Sequence, residues 1–411
     1  MKKILYLFLL VISMFCFTGC QINSNEDVLL RVAKNRKYGY VNKNGKTIIP
    51  LEYDFLGWFN NNLVLAEKNN KTFYINKKNN VLKLQRDYDN LSQFYDGIAL
   101  VEKNNKYGYI DTTGKEVIPC EYGFSSATHF SEGITVLKKN NKYIYINKNG
   151  KVIASLECDS ASPLKEGLAL VRKNDKYGYI DKTGKIVIPF EYDEASYFNE
   201  GLACVKINNK YGYIDKENNL VIPFEYDRAS LFHDGMAVVE KNSKTSYIDK
   251  TGNLIIPFKK YDDLAHFQEG FAAILIKDKK NHDFFYLYIN KNGKIINKFK
   301  YHSADYFEEG LAKVNRYSKW GYINKNGDEV IPLKYDNISH FQEGMAVVVI
   351  NNRYGYINKK GDLVIPFNYD KAKPFENGFA YVEKNGKSGY IDKNGKIVVP
   401  LEYDIDEYFF W

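Results

Sequence analysis

The sequence predicts an all-β chain of about eleven tandem repeats, each a three-stranded antiparallel meander of ~34 residues, in a solenoid or propeller-like array. Three observations carry that expectation. A Tyr-Gly-Tyr centre recurs with its glycine at 39, 108, 178, 212, 321, 355 and 389 (Trp-Gly-Tyr at 321, Ser-Gly-Tyr at 389), and degenerate copies centre on Phe73, Ile144, Ser246 and Leu287. The steps are 34 to 36 residues, with one of 41. Eight of the ten prolines (50, 119, 189, 223, 257, 332, 366 and 400) close the third apolar run of a unit, where a residue without a backbone donor is tolerated.

Taken from the N-terminus, the first element is an address. Lys2 and Lys3 precede an apolar stretch, Ile4 to Phe17, too short to span a bilayer comfortably. Phe17-Thr18-Gly19-Cys20 follows and resembles a bacterial lipobox, with Phe17 standing where Leu is usual. The resemblance implies a signal peptide over 1–19, a lipid on Cys20 and a short tether over 20–27. It places the chain outside the cytoplasm on a bacterial membrane, the outer one if the cell has two, since Gln21 and not Asp follows the cysteine.

The repeat array occupies 28–411, and Gly167 to Phe198 serves as its type unit. Leu168 to Arg172, Tyr177 to Ile180 and Lys185 to Ile188 have strand character. The first gap, Lys-Asn-Asn-Lys or Lys-Asn-Gly-Lys, suits a type I′ turn with two residues at positive φ. The second, Asp181-Lys182-Thr183-Gly184, suits a type I turn followed by a left-handed residue. That last position is Gly in nine units and Asn (Asn79, Asn218) in two, the residues that best tolerate positive φ. The Tyr-Gly-Tyr glycine is replaced by Ile144 and Phe73, so its backbone is extended; it is expected to make room for a side chain packing over the strand.

One such unit is too small to fold alone, so neighbours must supply the core. The 35 tyrosines follow from this, at two or three per unit plugging the junctions. Eleven units exceed the usual four to eight propeller blades, and the array starts on a first strand (Val28 to Lys34) and ends after a third (Ile397 to Val399). Both points favour an open or spiral array, with Tyr408 to Trp411 folding back as a cap or serving as a partner-binding tail.

The recurring pattern G-L-A-x-V…N-x-K-Y-G-Y-I-D-K-x-G-K-x-V-I-P-x-x-Y-D…F-x-E-G resembles the WG (or KWG) repeat family, with Tyr in place of Trp almost everywhere; only Trp320-Gly321 keeps the name-giving pair. The resemblance covers residues 28 to 411 and implies β-rich tandem repeats in bacterial proteins, often exported, without an established enzyme activity or catalytic residues.

Formal charge is +8, with acids and bases interspersed, which argues against nucleic acid as a partner. Cys120, Cys158 and Cys204 form no framework of pairs and read as inert thiols. No Cys/His spacing suggests a metal, and no cofactor is expected. The histidines are His129, His233, His266, His282, His302 and His340; most flank a loop phenylalanine and read as loop variation. Nearly every polar motif is repeated, so no single constellation singles out an active site, and the chain is expected not to be an enzyme. The one break in regularity is the enlarged hairpin Lys277, Asp278, Lys279, Lys280, Asn281, His282 and Asp283, the candidate partner-binding loop. The expected function is a membrane-anchored binding or scaffold module for a protein or cell-envelope polymer. Its alternatives are glycan binding through a periodic row of exposed Tyr, and a hydrolase whose unmatched polar residues cluster in one cleft.

Overall fold

The computed structural model describes residues 28–60, 62–123, 130–259, 261, 263–277 and 283–405. The signal segment, Cys20 and the tail from 406 to 411 lie outside them. Every named element among the described residues is a strand, and the strands form eleven antiparallel sheets of three or four members. We number these blades 1 to 11 from the N-terminus. Blade 5 is representative: Ser160–Lys165, Leu168–Lys173, Lys176–Asp181 and Ile186–Tyr192 pair in that order. The first strand of a blade comes from the loop after the preceding Glu-Tyr-Asp segment, so most blades gain a fourth member that the three-stranded reading had assigned to a loop.

The turns are as the residue types dictate. Asn104 and Asn105 both take positive φ (51° and 58°), the type I′ geometry, and Gly184 closes the second turn at 84°. In that turn Asp181 Oδ1 accepts from the N–H groups of Thr183 (2.8 Å) and Lys185 (3.1 Å), which explains the preference for Asp or Asn at its start.

The glycine of Tyr-Gly-Tyr has a different cause from the one expected. A Cβ on Gly178 would lie 2.6 Å from the backbone oxygen of Ile188, and Gly39, Gly108, Gly212, Gly321, Gly355 and Gly389 meet the third strand in the same way. What approaches is backbone, not a side chain. Tyr177 pairs with Tyr192 and Tyr179 with Ile188, so the third strand bulges at Pro189 directly over the glycine. Where Phe73, Ser246 or Leu287 replaces it, the third strand is reduced to isolated bridges. In blade 4, Ile144 pairs with Ser155 in regular register instead.

Cores sit between blades. Tyr179, Ile188 and Tyr192 of blade 5 pack with Phe198, Ala203, Val205 and Ile214 of blade 6. Among the described residues there are eleven such clusters, one per junction, and Leu30, Val32 and Val41 of blade 1 share one with Tyr381, Tyr390, Val399 and Tyr403 of blade 11. An open row of eleven blades has only ten junctions. The array is therefore a closed ring, an eleven-bladed propeller, and the open spiral favoured by strand counting is overturned.

Polar staples recur at the junctions at up to three levels. In the middle, the second tyrosine of Tyr-Gly-Tyr donates its hydroxyl hydrogen to a carbonyl of the next blade, as Tyr179 does to Ser196 O (2.7 Å) and Tyr213 to Ser230 O (2.8 Å). At one end of the strands, Asp193 accepts from Asn208 N (3.0 Å) and from Lys176 Nζ (2.5 Å). This end, the hairpin face, carries the type I′ Asn-Asn turns. At the other end, the turn face, Glu200 accepts from Gly235 N (2.8 Å) and pairs with Lys250 Nζ (3.2 Å). The ring closes with the same parts: Tyr390 Oη donates to Arg31 O (2.7 Å), Asp404 N to Ala33 O (2.9 Å) and Asn35 N to Asp404 Oδ2 (2.6 Å).

Candidate functional site

A ring of near-identical blades offers sites only where a blade departs from its siblings, and on the hairpin face the departures gather on blades 8 and 9. The enlarged hairpin lies there. Lys277 ends the strand Phe271–Lys277, Asp283 precedes Phe284–Asn290, and Asp278, Lys279, Lys280, Asn281 and His282 lie outside the described residues. Phe284 and Phe299 are exposed, and Tyr317 is 80% exposed at the tip of the next type I′ turn. Cations cover this aromatic group: Lys300 Nζ stands 4.1 Å from the Phe285 ring, Arg316 4.4 Å from Phe299 and Lys277 5.5 Å from Phe284.

The local sequence explains the patch. Where four units read Glu-Tyr-Asp, this one reads Lys300-Tyr301-His302; lysine also opens Lys260-Tyr261-Asp262 and Lys334-Tyr335-Asp336, so what sets this unit apart is that both acids are replaced, by a base and an imidazole. His302 keeps the structural duty of the lost aspartate, accepting from Tyr317 N at 3.4 Å through Nδ1, and its ring lies 5.5 Å from that of Tyr317. Arg316 is oriented by Glu329 (3.2 Å) and Lys298 pairs with Asp328 (3.1 Å). The charge inversion and the Tyr317-Ser318 turn are visible as departures from the repeat; only the hairpin length was picked out from the sequence.

A second cluster joins blades 7 to 10 near the turn face. The His233 ring stacks on His266 at 4.5 Å, and His266 stacks on Tyr306 at 5.3 Å. His340 lies between Glu308 (3.3 Å) and Asp305 (3.5 Å), and Lys313 also pairs with Asp305 (3.0 Å). The residue after the loop phenylalanine of one blade meets the residue before it in the next, which brings together histidines that repeat counting had kept apart. Burial, and then the neighbouring imidazole, hold His233 below its ordinary value. His340, and then Lys313, hold Asp305 below the usual carboxylate range, although burial opposes them. The stacked rings are closer to parallel than to convergent (26° and 9°), so their lone pairs do not focus on one point. Among the described residues no group of three or more His, Cys, Asp or Glu side chains is placed to hold a metal ion.

Among the described cysteines Cys204 is buried, with its thiol pushed up to about 12, and Cys120 and Cys158 are half-buried, Cys158 at about 11. Burial is the main cause in all three, so these thiols stay protonated near neutrality. A cavity of about 430 Å³ between blades 3 and 4, lined by Asn60, Gln93, Tyr95, Tyr109 and Phe130 among others, has no carboxylate, imidazole or thiol among its described lining.

The described tyrosines form no exposed periodic row. The second tyrosine of Tyr-Gly-Tyr and that of Glu-Tyr-Asp are buried, and the exposed ones, Tyr95, Tyr197 and Tyr317, occupy three non-equivalent positions. The first tyrosine of Tyr-Gly-Tyr is half-buried in most units, and a cross-strand cation lies over it in several, as Arg172 does over Tyr177 (5.8 Å) and Lys206 over Tyr211 (5.2 Å). This removes the basis for a repeated sugar platform.

Among solved structures, the chain is similar to a eukaryotic initiation factor (TM-score 0.43, 9% identity, 73% of this chain and 94% of that one). It is also similar to Hsv2p of Kluyveromyces lactis (0.30, 11%, 56% and 90%) and to PorZ, a bacterial surface component of the type-IX secretion system of Porphyromonas gingivalis (0.26, 11%, 87% and 52%). No relative among curated proteins matches. The "WG containing repeat" pattern matches eleven successive segments, 38–71, 73–107, 107–143, 145–177, 177–211, 211–244, 246–279, 288–320, 320–354, 354–387 and 389–405. With a match in every blade of the ring, the chain belongs to the family of WG containing repeat proteins.

Proposed function

We propose that this protein is a rigid, membrane-anchored binding ring outside the cytoplasm, which presents the cation–aromatic patch of blades 8 and 9 to an acidic protein or cell-envelope polymer. The observation that carries the reading is the juxtaposition of Phe284, Phe299 and Tyr317 with Lys277, Lys300 and Arg316 in a unit whose acids have been replaced. Exposed aromatics backed by guanidinium and ammonium groups are what binding hot spots are made of. Each such contact adds about 0.5–1 kcal/mol where exposed and more once a partner excludes water. The ring supplies rigidity, and the lipid on Cys20 supplies the address.

Binding of the purified chain to isolated cell envelopes tests this. Phe299→Glu combined with Tyr317→Glu should lower the bound fraction several-fold without lowering the melting temperature, and high salt should weaken wild-type binding. Equal binding by variant and wild type removes the patch from the reading. Labelling cells with a palmitate analogue tests the anchor: the wild type takes up label and Cys20→Ala does not.

A further inference from the structure

We infer that the turn face of the ring is a docking surface for an anionic lipid bilayer, with a belt of lysine and aliphatic side chains around its rim. The belt is one position in the repeat, the first residue of the third strand. Val81, Val152, Ile186, Leu220, Leu254, Ile295, Leu363 and Ile397 occupy it in eight blades, each paired with the buried isoleucine that ends the Tyr-Gly-Tyr-Ile segment or its counterpart. Each of these eight is 48 to 62% exposed. A single exposed aliphatic residue is ordinary, but the same residue class half-exposed at the same place in eight of eleven blades is a feature of one face; it is unbroken from blade 4 to blade 8 and interrupted by Thr47, Glu116 and Glu329 in blades 1, 3 and 9.

Charge and chain path select the occupant. Lysine directly precedes this position in six blades (Lys46, Lys115, Lys151, Lys185, Lys294 and Lys396), giving Lys-Val or Lys-Ile pairs in four of them. None of the six takes part in an ion pair among the described residues, whereas the neighbouring turn lysines (Lys216, Lys250, Lys291, Lys325) are held by acids of the preceding blade. An apolar side chain next to an ammonium on a flexible stem suits the boundary between acyl chains and phosphate headgroups. The chain also enters the ring here: Leu29 pairs with Asn42, the first residue of the blade 1 turn. Cys20 lies eight residues before Val28, a span of at most ~25–30 Å at 3.3–3.6 Å per residue. A lipid on Cys20 thus holds the turn face toward the membrane and leaves the hairpin face, with its patch, toward the partner. This orientation rests on the lipid anchor proposed above; the affinity of the face for lipid does not.

The test uses the chain from Gln21 onward, which contains every described strand and has no lipidated Cys20. Its co-sedimentation is measured with vesicles of phosphatidylethanolamine and phosphatidylglycerol and with vesicles of phosphatidylcholine. Wild type should bind the anionic vesicles, and Ile186→Asp/Leu220→Asp/Leu254→Asp should lower partitioning by roughly tenfold or more. Lys151→Glu/Lys185→Glu/Lys294→Glu, which leaves the apolar belt intact, should lose the preference for the anionic vesicles. Tyr317→Glu, on the opposite face, should bind as wild type does. Absence of wild-type binding to the anionic vesicles, or equal binding by both triple variants and wild type, overturns the inference. So does concentration-dependent self-association abolished by the aspartate variant, which would assign the belt to a second copy of the ring. Because no variant depends on lipidation, failure here is distinct from failure of Cys20 to take up label.

Discussion

At the scale of single residues, the same position often serves two masters. Glu200 sits at φ +53°, a region that costs a non-glycine residue on the order of 1 kcal/mol, yet glutamate recurs there at 132, 166, 269, 309 and 343. Its carboxylate reaches the turn of the next blade, so strain within one unit is offset by a bond between units. Glu166 shows this electrostatically: burial raises its pKa, but Gly201 N–H, Lys216 and Glu200 N–H outweigh that and hold it below the usual range. The Tyr-Gly-Tyr glycine gives a sharper test. Gly178→Ala puts a methyl 2.6 Å from Ile188 O and should destabilise by about 1–3 kcal/mol in chemical denaturation, with loss of amide protection over Ile186–Tyr192. Ile144→Ala, in the blade whose third strand pairs without the bulge, should leave its third strand Val152–Leu156 paired.

At the scale of elements, the junction is the structural unit and the blade is not. Each tyrosine staple crosses a junction, as does each hairpin-face bond from an Asn N–H to an Asp carboxylate. Asp54, Asp89, Asp193, Asp227 and Asp336 are all held below the ordinary carboxylate value, first by a lysine ammonium and then by a hairpin N–H. A carboxylate with a depressed folded pKa adds stability that is fully present above its unfolded value and is lost as pH falls through the folded one. Melting temperature should therefore be flat above about pH 5 and fall progressively below about pH 4, where the unfolded carboxylates begin to protonate. A curve unchanged down to pH 3 would mean that these exposed pairs contribute nothing measurable, as many surface ion pairs do.

At the scale of the whole molecule, closure decides what the protein can be. A solenoid would project a repeated surface along its own axis; a ring has two faces and a rim, so the lipid anchor proposed for Cys20, through its short tether, would fix which face meets a membrane. The closing bonds belong to the last residues described. A chain ending at Pro400 loses Tyr403 and Asp404, and with them the bonds to Ala33 and Asn35. Its strand Leu29–Lys34 should lose hydrogen-exchange protection while Ile186–Tyr192 keeps its own, and its radius of gyration should rise. Retained protection at Leu29–Lys34 would place the latch elsewhere.

By itself the sequence determined the central strands of each blade, both turn types, the junction tyrosines and the family, because each is enforced locally by φ, by a missing donor or by an apolar period, and then repeated until chance is excluded; the short first strand, formed from the loop after Glu-Tyr-Asp, it did not reveal. It also pointed to the hairpin at 277–283 as the place where the pattern breaks. The tertiary structure decided closure, since Asp404 reads as one more Glu-Tyr-Asp acid until its partner proves to be Asn35, which sequence counting places at the far end of the chain. It likewise decided which aromatics are free to bind: Tyr317 and Tyr179 are the same residue type, but one caps a turn in water and the other is buried against the next blade. Contacts between distant residues depend on how small rotations from blade to blade accumulate, and no window of the sequence encodes that sum.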